Sequence, residues 1–278
     1  MNSPQQKVRF PNQTEVPKLG QGTWYMGQVS SQKSREIEAI RTGLDLGMTL
    51  IDTAEMYHDA ETVVGDAIRG RRDGLFIVSK VLPSNASYQG TLDACERSLR
   101  KLDTDYIDLY LLHWPGSYPL QETFEAFEKL KSTGKIGGYG VSNFDSTEFH
   151  NCLDEAPAGA IGTNQVLYNL EVRGIEWSLL PHMRKQQIPA MAYSPLNQGR
   201  MNFEKLQPLA EKYEATTAQI ALAWLLHQDG VISIPKSSDI SHVTENFGAM
   251  DIRLSGEDLL ALDRLFPPPS AETPLSIL

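Results

Sequence analysis

Short apolar runs alternate with longer amphipathic stretches eight times along this chain, and that alternation narrows the possible folds more than any other feature. The extended runs are Gly20 to Trp24, Thr49 to Asp52, LFIVSK, YIDLYLLH, GGYGVSN, IGTNQV, Pro189 to Tyr193 and VISIPK. Each leads into a helical stretch, the first being SREIEAIRTGLDLG with apolar residues at Ile37, Ile40, Leu44 and Leu46. Alternation of this kind implies a parallel sheet, because parallel neighbours must be joined by a crossover. Eight units in 278 residues fit a closed (β/α)8 TIM barrel, an α/β fold that takes about 250 residues as one domain. An open doubly wound sheet is the other arrangement open to the same units. An N-terminal hairpin, Val8 to Phe10 with Val16 to Leu19, precedes the first unit, and the extra C-terminal helices ISHVTENFGAM and SGEDLLALDRLF close the chain. Pro267-Pro268-Pro269 marks the end of the folded part. The expectation is one domain over residues 1–278, with a short tail at 270–278.

Composition excludes several classes of function. The formal net charge of −10 argues against general affinity for nucleic acid or anionic membranes, but leaves room for a local basic pocket that holds phosphate. Cys95 and Cys152 are too few for a disulfide framework, so a reducing cytoplasm is the simpler reading. The start, MNSPQQKVRF, is polar and shows no signal-peptide core, and no apolar run reaches the roughly 18 residues needed to span a bilayer.

In a barrel the C-terminal strand tips converge on one pocket. Here those tips carry Asp52 (with Tyr57 just beyond), Lys80, His113-Trp114, Ser142-Asn143, Asn164-Gln165, Tyr193-Ser194 and Lys236-Ser237. Taken singly, each has an ordinary explanation: an aspartate after a strand caps the next helix, a lysine is solvated, a histidine is structural, a tyrosine packs. Together four of them make chemical sense. A phenol with a pKa of about 10 is a poor acid at neutral pH. A neighbouring ammonium favours the phenolate and lowers that value. A buried ammonium needs an anion, which Asp52 supplies, and a neutral histidine can hydrogen-bond the oxygen that the tyrosine protonates. Asp52, Tyr57, Lys80 and His113 thus read as a proton-delivery group aimed at a carbonyl.

The segments IDTAEMY, VSK, LLHWP, GVSNF, NQVLYN, AYSPL and IPKS followed by TEN occur in this order over nearly the whole chain. As an ordered set they are specific, and with them the sequence resembles an aldo-keto reductase. The resemblance implies reversible hydride transfer between NADPH and an aldehyde or ketone, on a barrel and without metal; the separate expectation for the assembly is a monomer or weak dimer. It makes Tyr57 the general acid in reduction, Lys80 and Asp52 its activating pair, and His113 the group that orients the carbonyl. It further implies that Ser142, Asn143 and Gln165 bind the nicotinamide carboxamide and that Tyr193 stacks on the ring. Thr23, Ser194, Leu196 and Gln198 should line the cofactor's path. Lys236 and Ser237 should hold the adenosine 2′-phosphate, with Glu245 and Asn246 near the adenine, while Trp24 and Trp114 wall the substrate pocket. The cofactor's chemistry is its own; the protein's part is to position it.

Two departures from the family pattern stand out. His242 occupies the position where many NADPH-specific members have an arginine, which implies a weaker preference for NADPH and some use of NADH. The tail is short where larger members use a long one to shape the pocket, which implies broad substrate acceptance. No Rossmann fingerprint is present, because Gly20-Gln21-Gly22 neither completes GxGxxG nor opens a helix. A metal-dependent barrel hydrolase would carry an HxH pair on its first strand, and no histidine precedes His58. The remaining alternative is a cofactor-binding regulatory protein on the same scaffold, resembling the β subunits of potassium channels.

Overall fold

A computed structural model of the protein describes residues 6–278; the first five residues, part of the polar start noted above, lie outside the described residues. Eight parallel strands form a curled sheet: β3 (Gln21–Gly22), β4 (Leu50–Asp52), β5 (Phe76–Val81), β6 (Ile107–Leu112), β7 (Ile136–Ser142), β8 (Ile161–Leu167), β9 (Ala190–Tyr193) and β10 (Val231–Ser233). They pair in chain order from β3 to β10. Parallel bridges from Leu19 to Ser233 and from Gly22 to Lys236 join the two ends, with Gly20 and Gly22 amides donating to the Ser233 and Pro235 carbonyls at 2.8 and 3.0 Å. This is the (β/α)8 arrangement expected from the alternation. The first strand is much shorter than the Gly20–Trp24 run, because its backbone turns after Gly22. Gly22 is required at that junction: a Cβ there would stand 2.7 Å from the Ile234 carbonyl oxygen.

The interior follows from the two-residue period of a strand. Leu50, Val78, Leu109, Leu111, Met191 and Ile232 point into the barrel. Below them the antiparallel hairpin β1 (Lys7–Arg9) and β2 (Glu15–Pro17) inserts Val8, Phe10 and Val16 into the same cluster and closes the N-terminal mouth. The same period then aims the next inward positions, Asp52, Lys80 and His113, at the opposite mouth. Fixing the floor in this way fixes the site above it.

The intervening residues face outward onto the helices α1 (Lys33–Leu46), α2 (Ala60–Ile68), α3 (Tyr88–Leu102), α4 (Leu120–Ser132), α5 (Ser146–Glu155), α6 (Leu179–Lys185), α7 (Gln207–Lys212), α8 (Thr217–His227), α9 (Ile240–Gly248) and α10 (Gly256–Leu265). Their starts are set by local chemistry. Capping boxes at Asp145/Glu148, Thr216/Gln219 and Ser255/Asp258 satisfy the first amides of α5, α8 and α10. No helix among the described residues is long and apolar enough to cross a membrane.

Candidate active site

The loop from β4 to α2 presents Tyr57 over the barrel mouth. Its backbone is pinned at both ends: the Glu55 amide donates to the Lys80 carbonyl at 3.2 Å, and the Tyr57 amide to the Ala54 carbonyl at 3.0 Å. The Glu55 carboxylate ties this loop to the one after β5, accepting from the Leu82 amide at 2.6 Å and from Asn85 at 3.0 Å. Sequence reasoning does not single out Glu55, because nothing local marks a carboxylate that bridges two loops.

Beneath Tyr57 lies a fully buried ion pair. Lys80, 0 % exposed, has its Nζ 2.8 Å from Asp52 Oδ1 and also donates to the Thr53 carbonyl at 2.7 Å and to Tyr57 Oη at 3.3 Å. These three partners account for the three ammonium protons. Asp52 is not a helix cap: Gln165 donates to its Oδ1 at 2.7 Å, and Thr23 donates to its backbone carbonyl at 2.9 Å. Burial pushes the Asp52 carboxyl up and the Lys80 ammonium down, and each offsets the other's shift through charge and hydrogen bond. Neither would hold its charge alone in this position.

The electrostatics of Tyr57 differ from the sequence-based expectation. Its phenol is pushed well up, by burial first and then by the charge of Asp52, with Tyr193 adding to the effect. The expectation counted the Lys80 cation but not the desolvation. Nor did it count that Asp52, at 2.8 Å from Lys80, cancels much of that cation's field. With these neighbours Tyr57 is a firmly protonated donor. His113 packs edge-on against it, with ring centroids 5.5 Å apart. Burial, aided by Lys80, lowers His113 to about 2, so the imidazole is neutral.

The other strand tips form one connected network. Tyr193 Oη donates to Asn143 Oδ1 at 2.9 Å; Asn143 Nδ2 donates to the His113 carbonyl at 3.1 Å and to Ser142 Oγ at 3.2 Å; Ser142 Oγ donates to the Gln165 carbonyl at 2.9 Å. Asn143 and Ser194 both adopt left-handed backbone conformations, with φ of 60° and 47°. A serine there is uncommon and marks a rim whose shape is imposed by its surroundings.

Two cavities adjoin Tyr57. The larger, about 470 Å³, runs from Asp52 and Tyr57 past Tyr193, Ser194, Leu196 and Gln198 to Lys236. Thr23 also lines it, although its hydroxyl is already bonded to Asp52. The smaller, about 80 Å³, is walled by Trp24, Met56, His113, Trp114, Ile277 and Leu278. Ser237, His242, Glu245 and Asn246 lie past Lys236, on the following turn and on α9, and do not line either cavity. In the wall of the smaller cavity the sequence reading missed Met56 and the tail tip, where the Leu278 amide comes within 3.4 Å of Tyr193 Oη; in the larger it missed Tyr25 and Phe203 among others. The tail is short, yet it ends at the pocket.

The sequence matches the Aldo/keto reductase family over residues 18–266. It is 45% identical to methylglyoxal reductase YeaE of Escherichia coli K12, over 99% of both chains. It is 37% identical to a glyoxal reductase of Bacillus subtilis, over 93% of this chain and 92% of the relative. Among solved structures, an aldo/keto reductase from Klebsiella pneumoniae crystallised with NADP and acetate superposes with a TM-score of 0.94 at 49% identity, covering 99% of this chain and 100% of the other. Agreement in sequence along residues 18–266, together with agreement in fold across the whole barrel, shows that this chain belongs to the aldo-keto reductase family of oxidoreductases.

Proposed function

We propose that the protein reduces small aldehydes and ketones to alcohols, with NADPH as hydride source and a small dicarbonyl such as methylglyoxal or glyoxal as substrate. The observation that carries this reading is the buried Asp52–Lys80 pair set directly against the Tyr57 hydroxyl at the barrel mouth.

The residues present fit a dinucleotide. One cavity of about 470 Å³ brings together the phenol of Tyr57, the ring of Tyr193 and the side chain of Lys236. His113 Nδ1 is buried with no hydrogen-bond partner among the described residues, and Ser142, Asn143 and Gln165 bring amide and hydroxyl groups to the same rim. In this reading Tyr193 and those three residues hold the nicotinamide end. Ser194, Leu196 and Gln198 lie along the middle, and Lys236, Ser237, His242, Glu245 and Asn246 surround the adenosine end. When bound, the cofactor supplies hydride to the carbonyl carbon. Tyr57 donates its proton to the carbonyl oxygen. Neutral His113 hydrogen-bonds that oxygen and sets its direction. As the proton leaves, Lys80 stabilises the growing phenolate, and Asp52 keeps Lys80 charged.

Substrate size follows from the smaller cavity. About 80 Å³ is well below the roughly 300–1,000 Å³ of sites for drug-sized ligands. Two tryptophans and the Ile277–Leu278 tip enclose it, which favours compounds of a few heavy atoms over sugars. Turnover measured across aldehydes, ketones and sugars with both cofactors tests this. The expected order places small dicarbonyls first, and equal or better rates with sugars would contradict it.

His242 gives a second test. It lies on an exposed helix face and cannot grip a phosphate in two-pronged fashion as an arginine can. His242→Arg is expected to tighten NADPH by about 1 kcal/mol after allowance for solvent screening, and to leave NADH unchanged. Dissociation constants for both cofactors in wild type and variant decide it; equal effects on the two, or none, would place His242 away from the phosphate.

A further inference from the structure

Helix α1 packs against α9 beside the end of the cleft at which Lys236 stands. Arg35, in the first turn of α1, pairs with Asp239, the residue that caps α9, although 204 positions separate them. Both oxygens of this carboxylate are engaged: Oδ1 accepts from the Ser241 amide at 2.9 Å and from the Ser241 hydroxyl, and Oδ2 faces Arg35. Asp239 is thus a fixed anion two residues from Ser237 and three from Lys236. An anion in that place repels a dianionic phosphate.

The helix cap alone does not need Arg35, since Ser241 and the first turn already satisfy Asp239. The Arg35 side chain is 62 % exposed and uses only Nη2 on Asp239, which leaves the rest of its donor fork without a protein partner among the described residues. Its charge also reaches Lys236: burial lowers that ammonium first, Glu36 supports it, and Arg35 opposes it. Arg35 therefore pairs with the carboxylate that caps α9 and stands close enough to Lys236 for the two charges to interact.

We infer that Arg35 is a specificity-determining residue for the 2′-phosphate of the cofactor, supplying from α1 the guanidinium that the His242 position on α9 lacks. It cancels the charge of Asp239 and offers its free donors to the phosphate. This inference rests on the reading of Lys236 and Ser237 as the phosphate end of the cleft.

The test measures dissociation constants of NADPH, NADH, 2′,5′-ADP and 5′-AMP for wild type, Arg35→Gln, Arg35→Lys, Asp239→Asn and Lys236→Met. Arg35→Gln is expected to weaken the two 2′-phosphorylated ligands about five- to tenfold, as for a partly screened charge-assisted hydrogen bond, and to leave NADH and 5′-AMP within about twofold. Arg35→Lys should recover part of the loss, because it restores the charge without the fork. Asp239→Asn keeps a capping side chain and should bind NADPH at least as tightly as wild type. Equal weakening of all four ligands by Arg35→Gln would make Arg35 a mere tie between α1 and α9 and overturn the inference. So would an Arg35→Gln protein with unchanged preference for NADPH; if Lys236→Met then abolishes that preference, the phosphate end is correct and only Arg35 is misassigned. A wild type that binds NADPH and NADH equally, with no effect of Lys236→Met, would overturn the phosphate-end reading itself.

Discussion

Tyr57→Phe is expected to lower kcat for carbonyl reduction by about 10²–10⁴-fold, the ordinary contribution of general acid catalysis, while NADPH affinity stays near that of wild type. The variant removes one oxygen and keeps the ring, so the packing against His113 and the cavity wall persists. The size of the loss follows from the surroundings. Burial and Asp52 hold the phenol protonated, and the neighbouring imidazole, lowered to about 2, is neutral and cannot take over as a strong acid. Steady-state kinetics with a direct cofactor binding measurement decide the matter. A variant that keeps more than about a tenth of wild-type kcat would refute the assignment.

Lys80→Met is expected to have an effect of similar rank, about 10²–10³-fold in kcat, as for loss of a preorganised electrostatic group. The raised phenol makes this the sharper test. A buried tyrosine beside an aspartate is a very weak acid, and Lys80, at 3.3 Å, is the cation bonded to the oxygen on which negative charge develops. Asp52→Asn acts in two opposing directions. It removes the anion that raises the phenol, but it also removes the partner that keeps a fully buried ammonium charged; the Thr53 carbonyl at 2.7 Å remains. Its loss in kcat should therefore be the smaller of the two. Thermal unfolding should accompany the kinetics, because leaving either partner of a buried pair alone costs about 3–5 kcal/mol. If Asp52→Asn were far worse than Lys80→Met in folded protein, the division of roles would be wrong.

The barrel was legible because parallel strands buried on both faces leave short apolar runs, and the crossover helices between them leave longer amphipathic ones. The strand tips were legible for a related reason: Asp52, Lys80 and His113 each end an extended run, and although each alone has an ordinary explanation, their occurrence together at successive tips does not. What escaped the sequence depends on distances between segments far apart in the chain. Glu55 bridges two loops, Arg35 meets Asp239 across two helices, and the PLSIL tail has no periodicity that could place its tip beside Tyr193. The sign of the Tyr57 shift escaped for a physical reason. Desolvation grows with the enclosure of the finished pocket, which a list of neighbouring charges does not contain.

The central claim is that this protein turns over a small carbonyl compound with NADPH rather than only holding the cofactor. The most direct measurement supplies NADPH carrying deuterium at the transferable position, in excess over the enzyme, together with methylglyoxal. The account predicts many turnovers, one alcohol formed per NADPH oxidised, and deuterium on the former carbonyl carbon. Tight NADPH binding with no labelled alcohol, across methylglyoxal, glyoxal and simple aldehydes, would contradict it and point instead to a cofactor-binding regulatory role.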